Sequence, residues 1–531
     1  MTIRPSQSGP SQSRPSQRRP LPGRRRTPLL ALALDRGASA SLQQQLYDQV
    51  RAVILAGGLA PGARLPSSRA LAGELGCSRN TVVSAFDQLL SEGYLEGHAG
   101  SGTFVSRVLP EDLLGLPPAD PSRSRRAEAA PSTAPPRLSA RGRALVGLRR
   151  RQHGPERAFM PGVPETDEFP FDVWARLHSR LWRHPSAQLL RLGAPAGLQA
   201  LREAIARYLT TFRGLACDWR QVIVTAGAQQ ALDLTIQLLL EPGDAVWIEE
   251  PGYPGLRGPL IAAGARPVPV PLDGEGLLVA EGRRRGPTAR AAIVTPTHHY
   301  PLGTTLSLAR RLELLEWARD SGAWILEDDY DSEYRYAGRP LASLLGLASG
   351  REEGGREAAG RVIYIGSFSK VLFPSIRVGY LVVPENLVDA VSAAQGALGA
   401  QPTALVQPVL AAFIEEGHFA THVRRMRRLY ATRQAALVAA AERHLGDFLS
   451  VAPDDAGLHL MAWLTPQVAA RLGDRGAAEV AVAAGIAVSP LCEYFSGPPD
   501  RQGLLLGYAA VPEDAIERGA RRLADALRKA L

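Results

Sequence analysis

Ser367-Phe368-Ser369-Lys370 follows directly on an apolar run, residues 362–365, which sets a primary amine at a strand end, where ligands gather in α/β sheets. A lone lysine is usually a solvated surface charge. Here the hydroxyls of Ser367 and Ser369 precede it and Arg377 follows, and together these can hydrogen-bond one phosphate group, the arginine as a charge-assisted fork. A second apolar run ends in Glu327-Asp328-Asp329-Tyr330. One carboxylate there, assigned to Asp328, can hold a pyridine nitrogen protonated, with Tyr330 reaching a ring hydroxyl. No histidine or further ligand follows at metal spacing, so an acidic metal site is disfavoured and no metal is expected.

Two more segments supply what an amine and an acid alone lack. Val222-Ile223-Val224-Thr225 enters a helix through Ala226-Gly227-Ala228-Gln229, so the N–H groups of Ala228 and Gln229 point at an anion and the helix dipole favours negative charge there. Glu250-Pro251-Gly252-Tyr253 offers an aromatic, Tyr253, to stack on a ring. His298, in the loop Thr297-His298-His299-Tyr300, is assigned to the ring or to an effector, with a structural role as the alternative. Amine, acid, aromatic and phosphate cradle are the parts that pyridoxal 5'-phosphate requires, with Lys370 forming the Schiff base.

A different chemistry is written near the N-terminus. Leu42, Leu46, Val50, Val53 and Ile54 share one face of a helix that stops at Gly57-Gly58, Ser68 opens a second helix ending at Gly76, and Ser78 caps a third that runs to Gly93. Two short helices joined by a glycine-bearing turn form a helix-turn-helix, and Gly100-Ser101-Gly102-Thr103-Phe104-Val105 can close a hairpin beside it as a wing. Ser78, Arg79, Asn80 and Thr81 then stand at the start of the third helix, where N–H groups and short polar side chains meet phosphates and base edges. Arg64, Ser67 and Arg69 flank the groove, and Ser101 and Gly102 form the wing tip. Arginines on a protein-interaction surface are the plainer alternative.

The elements that must position these residues follow from length and composition. At 531 residues the chain is too long for one core, and a 45% hydrophobic, 21% charged composition is that of a globular protein. The net charge of +9 favours a polyanionic partner. Residues 1–40 are expected to be a disordered basic tail plus a short strand at residues 29–34, and residues 41–108 the DNA-binding unit. Residues 109–154, rich in Pro, Ala and Arg, read as a flexible linker. Residues 155–531 alternate short apolar runs (222–225, 245–248, 292–295, 324–326, 362–365 and 379–383) with helical patterns, which predicts a mainly parallel sheet covered on both faces. A smaller helix-rich subdomain is expected from about residue 406. Three scattered cysteines, Cys77, Cys217 and Cys492, read as reduced thiols, which together with the lack of any apolar run near 20 residues points to a cytoplasmic protein without membrane segments. Arg24-Arg25-Arg26 before an apolar run imitates an export signal, but that run ends at Asp35 with no cleavage site.

Residues 42–105 resemble the DNA-binding domain of GntR-family regulators, through Leu65-Pro66-Ser67-Ser68-Arg69, Leu71-Ala72, Leu75-Gly76, Ser78-Arg79-Asn80-Thr81-Val82 and Gly100-Ser101-Gly102-Thr103-Phe104-Val105. Residues 155–531 look like a fold-type I aminotransferase domain, and the whole chain resembles the MocR subfamily of GntR regulators. The resemblance implies a multidomain architecture: an α+β winged helix-turn-helix, then an α/β fold-type I domain with a smaller C-terminal subdomain. It implies a pyridoxal-phosphate-dependent transcription regulator that senses the cofactor or an amine effector through an aldimine at Lys370. It further implies a head-to-tail homodimer on a double-stranded DNA operator, controlling genes of amine or vitamin B6 metabolism. The chain departs from working aminotransferases at two places. Tyr300 stands where those enzymes usually carry an asparagine, and Leu504-Leu505-Leu506-Gly507-Tyr508 stands where an arginine clamps the substrate carboxylate. Arg501 is the nearest basic residue and is expected outside the pocket. Efficient transamination is therefore doubtful, and a true aminotransferase with an accessory DNA-binding head is the rival reading.

Overall fold

Apolar residues at helical spacing bring three helices together at the N-terminus: α1 (Leu42–Leu55), α2 (Ser68–Leu75) and α3 (Arg79–Ser91). Leu46, Val50, Leu71, Val82, Ala85 and Leu89 are fully buried between them. Strands β1 (Leu95–His98) and β2 (Gly102–Val105) pair as an antiparallel hairpin. The computed structural model describes residues 32–98, 101–110, 138–148, 158–185, 190–191, 193–338, 341–349, 360–399 and 402–531. They fall into two units divided between Arg137 and Leu138.

Two expectations change at the unit margins. Residues 32–34 form no strand; Gln49 and Gln45 of α1 clip this extended segment by side-chain amides to the backbone of Ala33 and Asp35, so the backbone groups are satisfied without a partner strand. Within the expected linker, Ala140–Gly147 is a helix capped by Ser139 that packs on the helix Arg257–Ala263. The larger unit thus begins before residue 155. The remainder of the expected tail, residues 1–31, and linker residues 111–137 and 149–154 lie outside the described residues.

The larger unit is built on an eight-stranded sheet. In chain order its strands are β3 (Val222–Thr225), β4 (Ala245–Glu250), β5 (Arg266–Asp273), β6 (Gly276–Leu277), β7 (Ala291–Val294), β8 (Trp324–Asp329), β9 (Val362–Ser367) and β10 (Gly379–Val382). They lie in the order β3-β10-β9-β8-β7-β4-β5-β6. The run from β9 to β5 is parallel, while β10 is antiparallel to both β9 and β3. Side chains alternate between two buried faces: Val222, Val224, Trp247, Ile325 and Tyr364 enter one core, and Ile223, Val246, Leu326, Ile363 and Ile365 the other. Burial on both faces explains why these strands read as unbroken apolar runs.

This topology brings the chemistry to one edge. Asp328 lies opposite Ile365, and Thr225 lies opposite Gly379. The C-terminal ends of β3, β8 and β9 therefore meet the start of β10, which carries Arg377 just ahead of it. Past residue 406 the chain is not only helical. The helices His418–His444 and Glu513–Ala530 pack together beside an antiparallel sheet of β11 (Leu449–Val451), β12 (His459–Leu464), β13 (Ser489–Pro490) and β14 (Gly503–Gly507). The expectation of a helix-rich subdomain missed those strands because they are only two to six residues long and are separated by helices and irregular segments. Among the described residues, no helix is long and apolar enough to cross a membrane.

Candidate functional site

A cavity of about 400 Å³ opens where these strand ends meet. It is lined by Gly162, Ala228, Gln229, Tyr253, Thr295, Tyr300, Asp328, Tyr330, Ser367, Ser369, Lys370, Pro374, Arg377, Leu458 and His459. The structure thus gathers Lys370, Asp328, Tyr330, Tyr253, Ala228, Gln229, Ser367, Ser369 and Arg377 around one space. Lys370 Nζ donates to the carbonyl of Gly162.

The phosphate end is built from a turn and a helix start. Gly227 has φ +99°, a conformation that disfavours any side chain, and it leads into α4 (Ala228–Leu239). The Arg377 guanidinium lies against it: a Cβ on Gly227 would stand 3.6 Å from Cζ. Arg377 itself adopts φ +48°, a strained value for a non-glycine residue. The Ser367 hydroxyl accepts from the Ser369 N–H at 3.2 Å, and the Ser369 hydroxyl is buried without a partner among the described residues. Helix N–H groups, a free hydroxyl and a guanidinium form an anion cradle.

Of three successive acids, the middle one alone has a buried oxygen left unsatisfied among the described residues. Glu327 accepts the N–H groups of Leu344 and Leu345, and Asp329 accepts from Arg213 Nη2 and the Tyr364 hydroxyl, each at 2.6 Å. Asp328 Oδ1 is buried with no partner among the described residues. Burial first, then the charges of Asp329 and Asp331, push the Asp328 carboxyl up to about 7, against the pull of Lys370. A cationic ring N–H would satisfy that oxygen. The orphaned carboxylate, the orphaned Ser369 hydroxyl and the cradle all fit pyridoxal phosphate.

Behind this lining sits a second layer. His298 does not line the cavity, contrary to its assignment to the ring or effector; it is 2% exposed, with Nδ1 2.8 Å from Asp331 Oδ2 and 3.0 Å from the Tyr330 hydroxyl. Burial opposes its charge, but Asp331 and Asp454 push its imidazole up to about 10. His298 is thus a cation that orients Tyr330. Tyr253 is held by its hydroxyl to Gln229 Oε1 at 3.1 Å. Gly162, Thr295, Leu458 and His459 line the cavity without having been singled out in the sequence, and Tyr300 was noted only as a departure. They come from loops and from β12, with no local motif; only the topology brings them in.

In the N-terminal unit, Ser67 and Ser78 act as helix caps, accepting from the N–H groups of Ala70 and Thr81 at 3.3 and 3.1 Å. Ser78 also meets the Thr81 hydroxyl at 2.8 Å. Arg79 and Asn80 are exposed on the first turn of α3, as are Arg64, Arg69 and Ser101 nearby. Arg64 folds over Gly102, where φ is +111° and a Cβ would stand 3.1 Å from Nε. Backbone pairing of Arg64 with Phe104 ties the approach to α2 onto the wing.

Residues 42–105 match the model for bacterial regulatory proteins of the gntR family, and residues 162–523 match that for aminotransferase class I and II. The chain is 42% identical, over 93% of its length and 95% of the relative, to a probable rhizopine catabolism regulatory protein MocR of Rhizobium meliloti. The chain belongs to the MocR subfamily of GntR regulators. A second relative, the pyridoxine biosynthesis transcriptional regulator PdxR of Corynebacterium glutamicum, is 33% identical over 94% of this chain and 98% of its own. Among solved structures, a Pyrococcus horikoshii kynurenine aminotransferase in complex with PMP aligns at TM-score 0.63 and 25% identity, covering 75% of this chain and 96% of that one.

This MocR-type transcription regulator therefore couples a GntR DNA-binding domain to a domain of aminotransferase fold. Its departures from the enzymes are now visible in space. Leu505 of β14 packs with Met461, Leu491 and Tyr494 against Tyr300, so an apolar cluster stands behind that lining residue. Arg501 lies over the Trp463 ring at 5.5 Å and does not line the cavity.

Proposed function

We propose that this MocR-type regulator binds pyridoxal phosphate at Lys370 and that the cofactor, or an amine condensing with it, sets how the heads of a homodimer engage a DNA operator. The observation that carries this reading is Asp328 Oδ1, a buried carboxylate oxygen with no partner among the described residues, sharing a cavity with Lys370. When bound, the cofactor supplies an aldehyde that condenses reversibly with a primary amine, releasing water.

The chain's own residues do the rest. Ala228, Gln229, Ser369 and Arg377 bind the phosphate; Asp328 holds a proton on the ring nitrogen; Tyr330, oriented by His298, donates to the ring hydroxyl; Tyr253 covers the ring face. In the head, Arg79 and Asn80 read base edges in the major groove, while Arg64, Arg69 and the wing hold the backbone. The helix Ala140–Gly147, packed on the helix that follows Tyr253 and Leu256, offers a path from the cavity toward the chain leading to the head.

Adding pyridoxal phosphate to the purified protein, with absorption spectra and footprints on promoter fragments, tests both halves. An absorption band of the lysine-bound cofactor together with a protected sequence is expected; a colourless protein with no preference among fragments would refute the reading. The rival, a working aminotransferase, is favoured by the complete cradle. Sustained turnover at ordinary enzyme rates without sequence-specific DNA binding would establish it instead.

A further inference from the structure

Resting on the reading that Lys370 carries the cofactor, we infer that the ligand admitted beside it is a primary amine bearing a hydroxyl where an amino acid would carry its carboxylate. The first observation is the charge inventory of the wall. Among the described residues the cavity has two cations, Lys370 and Arg377. Arg377 lies against the Gly227 turn, at the phosphate end, and Lys370 is the amine that the ligand displaces. With Tyr253 and Tyr330 given to the cofactor ring, Thr295, Tyr300, Leu458 and His459 remain for the ligand, and none offers a positive charge. A buried carboxylate without a counter-charge is expelled to water.

The second observation is His459. Its ring is 2% exposed and lines the cavity, and Nε2 is buried with no hydrogen-bond partner among the described residues. The ring hydrogen-bonds the carbonyl of Pro301, which leaves the other nitrogen, Nδ1, as the donor and makes Nε2 a lone-pair acceptor. Burial, reinforced by the cationic His298 ring 5.5 Å away, holds the imidazole neutral. A neutral acceptor repels a carboxylate and accepts an O–H. Outside the lining, Leu505, Met461 and Leu491 back the Tyr300 ring as an apolar cluster and supply no charge there. The next arginines, Arg257 and Arg475, line an adjoining cavity, where Arg257 Nη2 donates to the carbonyls of Glu493 and Phe495.

The step balances as an exchange of amines: the ligand's nitrogen takes the cofactor carbon from Lys370 Nζ, and the proton it loses returns the lysine as a free amine. The test titrates the cofactor absorption band of the loaded full-length protein with 2-amino-1,3-propanediol, serine and 2-aminopropane, which share a three-carbon skeleton. Concentrations are expressed as unprotonated amine. The diol is expected to half-saturate at least tenfold below both others. In His459→Leu the ratio of diol to 2-aminopropane should collapse toward one, and His459→Gln, which keeps an acceptor there, should restore it. Serine binding as tightly as the diol, or a diol preference that survives His459→Leu, would overturn the inference while leaving cofactor binding standing. A band that forms with Lys370 but is moved by none of the three amines would instead defeat amine sensing, and this inference with it.

Discussion

Asp328 is the residue whose environment makes the sharpest demand. Its carboxyl is raised from 3.8 to about 7 by burial, then by Asp329 and Asp331, with Lys370 opposing. The unfolded chain ionises this group near its ordinary value. The folded state is therefore favoured by the neutral acid fully below that value, and the advantage is lost as pH rises through 7. Cofactor-free Asp328→Asn should accordingly melt a few °C above the wild type at pH 8 and level with it near pH 4; calorimetry at the two pH values checks this. With cofactor the order reverses, because the amide cannot hold the ring proton, and the variant should require at least tenfold more pyridoxal phosphate for half-saturation. Lys370→Ala should lose the absorption band while retaining the fold by circular dichroism. Lys370 and Asp328 were legible in the sequence because each ends an apolar strand within a few residues of its supporting groups. His459 was not, since β12 reaches the cavity only through tertiary packing, and Tyr300 was legible only as a departure from the enzymes' asparagine. His298 illustrates the converse: its position beside the site was legible, but not that Tyr330 and Asp331 would claim its Nδ1.

At the scale of elements, the strand-to-helix turn at Gly227 and the first turn of α3 each carry a separable function. Gly227→Ala forces a Cβ into a backbone at φ +99° and so shifts the N–H groups of α4 and the Arg377 contact. Strain of about 1 to 3 kcal/mol should raise the half-saturating cofactor concentration by roughly tenfold or more, as measured by absorbance; unchanged affinity would remove the turn from the cradle. Arg79→Ala should weaken operator binding by about 1 to 3 kcal/mol if it reads a base, with the footprint relaxing at one position of each half-site. Most strands were readable because burial on both faces leaves continuous apolar runs. Strand β5 was not. Its sequence, Arg266-Pro267-Val268-Pro269-Val270-Pro271-Leu272-Asp273, carries three prolines, which ordinarily argue against a strand. They are tolerated because they fall at alternate positions: the Arg266 N–H points toward β4, donating to Asp244 at 2.8 Å, so every missing donor faces the opposite side of the strand.

The molecule as a whole joins a charge distribution suited to DNA with a cavity suited to a small amine. A net charge of +9 and the acid-free arginines of the first 26 residues add sequence-independent attraction to phosphates. Removing residues 1–26 should therefore weaken binding to all fragments alike and flatten the salt dependence, without changing the footprint. The coupling of cavity to operator is the central claim, and such couplings typically amount to about 1 to 3 kcal/mol. It is tested most directly by measuring the affinity of the full-length protein for its operator with and without pyridoxal phosphate, in the wild type and in Lys370→Ala. A several-fold to hundred-fold change in the wild type, absent in the variant, is the predicted result. Equal affinities with and without the cofactor, in a protein whose absorption shows the cofactor bound, would contradict it.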